Sequence, residues 1–290
     1  MDSEQTVLEK LHKNGITATD IATQFWCERQ MELNNLYKPT PTKAMEKGAR
    51  MHEAWQAKAY VPLSVETRSY PDFLYKIAYE NYMTLKRLRE GKEGRELMVY
   101  GSVNGYRLSG KIDELKIRDG KTVIVEDKTV KEGMTIDNAH TKPHIVQIML
   151  YRKMLDDIRC RSYSYDNFAN VYRLSKAKLS EEFLKGLGEI NLKGKYLSLE
   201  SMYRKMFEEM HAMPELCDDL ELRYVDRRSG TVAAELKVRY DRDMLAGDLS
   251  YAMQYWRGER ESTPVAGQER WKCNSCKFFG KKCMVWWTGG

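Results

Sequence analysis

Asp113, Glu126, Asp127 and Lys128 fall in a stretch, Gly110 to Thr129, whose other residues (GKIDELKIRDGKTVIVEDKT) suit the middle of a sheet. Asp119-Gly120 is the residue pair of a two-residue hairpin turn, because aspartate tolerates positive φ and glycine adopts it freely. A loop of those two residues sets Arg118 opposite Lys121 and, counting back, Asp113 opposite Glu126, with β-carbons ~4.5–5.5 Å apart. Strand alternation puts Glu126 and Lys128 on one face and Asp127 on the other. Facing carboxylates repel. The pairing therefore points to a divalent cation between them, and oxygen ligands suit magnesium or manganese. Lys128 beside that cation is placed to orient water or to stabilise charge on a phosphate in the transition state.

The cysteines form a second constellation. Three of six lie in CNSCKFFGKKC as Cys273-x2-Cys276-x6-Cys283, close enough to hold one metal centre. In an intracellular protein such clustering favours metal over disulfides. A complete tetrahedral or cubane site takes a fourth ligand, for which Cys27, Cys160 and Cys217 are the candidates; zinc and an iron–sulfur cluster both fit.

The elements that must position these residues follow from periodicity. Helices are expected over 17–37, from 46 to 60, over 72–90, from Pro143 with Thr141 as its cap, through 179–213, and over 241–258. Strands are expected at 97–103, 106–118 and 122–129, with a further hairpin near 220–241. Pro143 argues against a shared helical face for His140 and His144, which read as structural. No repeat or linker interrupts the chain, so residues 1–290 read as one α/β domain with a core of about 40–160 and helical and hairpin additions over 161–260. A net charge of +6 permits nucleic-acid binding without identifying it, and no run reaches membrane-spanning length. The N-terminus lacks the apolar stretch of a secretory signal, so an intracellular, cytoplasmic location is expected.

Gly110-Lys111-Ile112-Asp113 followed by Glu126-Asp127-Lys128-Thr129 resembles motifs II and III of the PD-(D/E)XK nucleases, in their RecB-like branch. Gly48 to His52 (GARMH) matches that branch's G-x-x-x-H motif, and Gln147 to Tyr151 (QIMLY) its Q-x-x-x-Y motif. The resemblance implies a restriction-endonuclease-like core, a mixed β-sheet flanked by helices. It also implies a metal held by His52, Asp113 and Glu126, with Lys128, Gln147 and Tyr151 completing the catalytic set. FWCERQMEL around Cys27 and ERWKCNSCKFFGKKC resemble an iron–sulfur subset of that branch, the exonuclease V type. That implies a [4Fe-4S] cluster on Cys27, Cys273, Cys276 and Cys283, tying together the iron–sulfur region from Cys27 and 270–285 and loosening the chain's closure if lost.

The implied function is a magnesium- or manganese-dependent exonuclease on single-stranded DNA, leaving 5′-phosphate and 3′-hydroxyl ends, in DNA repair or processing. A single-strand-binding protein is an implied partner. Trp26, Tyr151 and Trp256 are candidates to stack bases if exposed, against the commoner place of aromatic residues in the core. Two alternatives stand beside it: a CRISPR adaptation nuclease that trims DNA for an integrase, and a DNA-binding scaffold without catalysis.

Overall fold

A computed structural model describes residues 5–59, 62–133, 137–174, 177–190 and 198–284. Six strands build one mixed sheet: β1 (Ile16–Thr17), β2 (Gly94–Val103), β3 (Tyr106–Arg118), β4 (Lys121–Val130), β5 (Asp219–Asp226) and β6 (Val232–Arg239). β2, β3 and β4 form an antiparallel meander, β4 and β5 run parallel, and β5 and β6 close as a hairpin. The expected mixed sheet flanked by helices is what the chain forms. The second hairpin belongs to this sheet, directly beside β4.

The β3–β4 turn takes the expected form, with φ of 51° at Asp119 and 72° at Gly120. Its register runs from Arg118 opposite Lys121 to Glu114 opposite Val125 and stops there, one pair short of Asp113 and Glu126. Beyond that point β1 takes a place beside β3, pairing Ile16 with Leu108 and Thr17 with Ser109. Because β2 already occupies the other edge of β3 from Tyr106 to Leu115, β1 fills the gap that β4 leaves. β3 and β4 thus part at the two acids, and a fork opens in the sheet.

The helices are α1 (Val7–Lys10), α2 (Ala18–Tyr37), α3 (Lys43–Ala59), α4 (Tyr70–Arg89), α5 (Asn138–Arg159), α6 (Tyr165–Val171), α7 (Glu181–Glu189), α8 (Leu199–His211) and α9 (Arg242–Trp256). Thr17 caps α2 and Ser69 caps α4, each through a capping box. α5 starts earlier than expected: Asp137, not Thr141, is its cap, and Pro143 lies inside it. A proline there removes one hydrogen bond, yet the buried apolar run Val146 to Leu155 holds the helix on the sheet. His140 and His144 therefore share one continuous helix, contrary to the expectation from Pro143. The expected helical region 179–213 contains α7 and α8; residues 191–197 lie outside the described residues.

Candidate active site and cysteine cavity

The fork is where the polar side chains converge. The Asp113 carboxylate accepts the backbone N–H of Asp127 at 2.8 Å, substituting for the ladder bond the parted strands no longer make. The Asp113 carboxyl abuts that of Glu126, close enough to raise its affinity for a proton. From α3, His52 Nδ1 stands 3.4 Å from Asp113 and 3.3 Å from Glu96. Gly48, one turn earlier, permits this approach: a Cβ there would lie 2.8 Å from the Thr129 hydroxyl. From β4, Lys128 Nζ donates to Glu126 at 2.6 Å and to the Gln147 amide oxygen at 2.8 Å; Gln147 in turn donates to the Tyr151 hydroxyl at 2.7 Å. Gln147 and Tyr151 sit one turn apart on α5. Gly110 makes room for the tyrosine, since a Cβ would come within 2.4 Å of its ring. All six expected residues line one hollow of about 490 Å³.

Burial governs the charges here. Loss of water, then repulsion from Asp113, pushes the Glu126 carboxyl well above its usual range; Asp113 is raised by burial too, against the pull of His52 and Lys128. Lys128 is held above the ordinary lysine value: burial works to lower it, but Glu126 and Asp113 prevail. His52 is likewise raised, since Glu96 and Asp113 outweigh its desolvation. Burial lowers His144 to about 3, with nearby Lys128 adding to the effect, so it is neutral, and its Nδ1 hydrogen-bonds the Tyr224 hydroxyl.

Glu96 escaped the sequence reading. It is buried, paired with Lys111 at 2.5 Å, and adopts φ of 59°, a left-handed backbone that a glutamate avoids without compensation. With His52 and Asp113 it forms, among the described residues, the one set of three metal-ligating side chains whose donor atoms lie within 4.8 Å of one another. The two carboxylates suit magnesium or manganese, and the imidazole beside them tips the set toward a transition ion such as manganese. Beside this set, the Glu126 Oε2 is buried and receives no hydrogen bond from a donor, which leaves it free to bind a cation. Asp127 turns away, as expected, to Arg223 at 2.7 Å and Arg95 at 3.1 Å; both arginines also hold Glu114.

Two of the three expected base-stacking aromatics are buried: Trp256 donates its indole N–H to Gln24, and Tyr151 is only 3% exposed. Both belong to the core. Trp26 does line the groove beside the site, packed with His140 and with Trp271, an exposed ring that sequence reasoning missed.

Cys27, Cys273, Cys276 and Cys283 line one small, mostly apolar cavity behind Trp26, whereas Cys160 and Cys217 do not. Cys27 breaks the helical path of α2, with φ of −166° and ψ of 110°, and its sulfur receives backbone N–H groups of Gln30 and Val265. Burial raises Cys27, Cys273 and Cys283, and their mutual proximity adds to it. No three of these sulfurs lie within 4.8 Å of one another, so they do not form a compact shell for a single ion.

The sequence model of a family described as Exonuclease V, a 5′ deoxyribonuclease, matches residues 6–122, 118–198 and 192–287. Zebrafish (Danio rerio) Exonuclease V is 24% identical over 285 residues, covering 93% of this chain and 70% of that protein. Among solved structures, that of SSO0001 superposes with a TM-score of 0.39 at 14% identity, covering 93% of this chain and 90% of that one.

Proposed function

Because this chain belongs to the exonuclease V family, we propose that it is a metal-dependent deoxyribonuclease that digests single-stranded DNA from an end, leaving 5′-phosphate and 3′-hydroxyl groups, in DNA repair or processing. The family's description as a 5′ deoxyribonuclease supports digestion from the 5′ end. The observation that carries the reading is the pair of buried, abutting carboxylates Asp113 and Glu126, with His52 and Glu96 on one side and the Lys128 ammonium on the other. A buried acid pair of this kind costs stability unless a cation joins it.

His52, Asp113 and Glu126, with Glu96 at hand, would hold a magnesium or manganese ion, which would supply positive charge to offset the charge that builds on a phosphodiester under attack. The chain's own groups do the positioning. Lys128, kept protonated by Glu126 and Asp113, offers an N–H to a phosphate oxygen or to the attacking water. Gln147 fixes the rotamer of Lys128, and Tyr151 fixes Gln147, so the ammonium is pre-aimed. The restriction-endonuclease-like superfamily assignment rests on the four motifs and on this convergence.

For the four cysteines lining one cavity, a [4Fe-4S] cluster is the resident group we favour. The donor set is all thiol, backbone N–H groups point at Cys27, and the sulfurs stand too far apart for a single zinc. Its role would be to pin 270–284 against α2.

The test is digestion of 5′- and 3′-labelled oligonucleotides, single-stranded and duplex, with magnesium or with EDTA. Magnesium-dependent shortening of single strands, blocked by a capped 5′ end, is the expected result. Equal digestion of duplex, or digestion undiminished in EDTA, would refute it.

A further inference from the structure

The space around the acids has two sides. The hollow holding Asp113 and Glu126 is rich in carboxylates, with Glu53 and Glu96 on its wall. On the other side of His52 and Lys128 lies a larger groove of about 710 Å³, whose lining among the described residues carries Lys131 and Arg227. The one lining carboxylate described there, Asp127, is already neutralised by Arg95 and Arg223.

Arg227 comes from the tip of the β5–β6 hairpin. β5 runs parallel to β4 as far as Val130 opposite Asp226, and the Arg227 backbone N–H then donates to the Val130 carbonyl at 2.9 Å. Arg227 is thereby laid at the same end of the sheet as Lys128, one strand over. The turn is rigid, because the Asp226 carboxylate accepts the backbone N–H groups of Arg228 at 2.8 Å and Ser229 at 2.6 Å. The guanidinium is anchored through Nη2, which donates to the Thr129 carbonyl at 2.9 Å. Yet no carboxylate pairs with it among the described residues, and its Nε is buried without a hydrogen-bond partner. Its neighbour Arg228 contrasts on each count: its side chain is 86% exposed and pairs with Glu132 at 3.5 Å.

A half-buried, pre-oriented cation with no counter-charge, on the wall of an open groove, is arranged for an external anion, and a guanidinium matches phosphate oxygens in particular. We propose that Arg227 grips a backbone phosphate of the bound strand next to the one that is cleaved. The ligand rests on the nuclease reading; the grip itself is a binding property. The β5–β6 hairpin then contributes to substrate recognition as well as to the sheet, and strands too short to reach Arg227 bind weakly.

The experiment measures binding of a fluorescein-labelled single strand in EDTA across a salt series, for the wild type, Arg227→Gln, Arg227→Lys and Arg228→Gln. Arg227→Gln should weaken binding by about 10-fold and reduce the slope of log affinity against log salt by about 0.7, the share of one phosphate contact on a single strand. Arg227→Lys should keep the slope, which separates a lost charge from a damaged fold, and Arg228→Gln should match the wild type. With magnesium, Arg227→Gln should raise KM while leaving kcat within about twofold. Binding and slope unchanged in Arg227→Gln, or a fall in kcat with KM unchanged, would overturn the proposal. Wild-type protein that binds with the expected slope but cuts nothing would sink the nuclease reading and leave the phosphate grip standing.

Discussion

Glu126 is 2% exposed and receives in return for its water one ammonium and a second carboxyl group. Its folded-state affinity for a proton is therefore raised, so its contribution to stability is fully present below the ordinary carboxylate range and is lost as pH rises through the raised value. At neutral pH, without metal, a neutral amide avoids that loss. Glu126→Gln should raise the melting temperature of the EDTA-treated protein at neutral pH, with the gain vanishing as pH falls below the ordinary carboxylate range, measured by thermal unfolding across pH. The same variant should forfeit the stabilisation that magnesium gives the wild type, about 2.7 kcal/mol at 100 times Kd. A variant that melts with the wild type in EDTA and still responds to magnesium would deny Glu126 a ligand's role. Asp113, Glu126, Lys128 and their faces could be read from the sequence, because the turn Asp119-Gly120 sets the register and alternation does the rest. Glu96 could not, because its place depends on a left-handed backbone that no residue type announces.

At the scale of elements, the fork between β3 and β4 and the face of α5 must stay in register for Lys128 to be aimed. Gly110 is a point of close approach between them. Gly110→Ala sets a methyl 2.4 Å from the Tyr151 ring, an overpacking that should cost about 1–3 kcal/mol in urea unfolding. It should also lower kcat more than it raises KM, since Tyr151 supports Gln147 and Gln147 supports Lys128. Unchanged stability and kcat would mean the helix can move off the sheet freely. Both hairpins, with their alternating strands, and most helices were legible in the sequence. β1 was not, because two residues carry no period, and neither was the start of α5, because Asp137 caps a turn earlier than the proline suggested.

Over the whole molecule, two of the places where α2 meets the segment after α9 bear on its closure. One meeting is the cavity of the four cysteines. The other is independent of sulfur: Glu28 holds Arg260 and the Thr263 backbone N–H, the latter at 2.8 Å, and Glu32 accepts from Ser262 at 2.6 Å. The sequence showed the thiols through their spacing but not this second clasp, whose partners lie some 230 residues apart. Losing the proposed cluster should therefore loosen the closure without opening it. Cys27→Ser should abolish the brown colour and the iron, lower the melting temperature by several degrees and leave a single cooperative transition. Anaerobically purified wild-type protein that is colourless and carries stoichiometric zinc would contradict the cluster.

The acids at the fork and Lys128 are the proposed phosphodiester-hydrolysing centre. The direct measurement is single-turnover cleavage of a labelled single strand with saturating magnesium by the wild type, Asp113→Asn, Glu126→Gln and Lys128→Met, each confirmed folded and DNA-binding. Each variant should lose about 10²–10⁴-fold in rate while retaining affinity for DNA. Cleavage by all three variants within about twofold of the wild type would contradict that assignment.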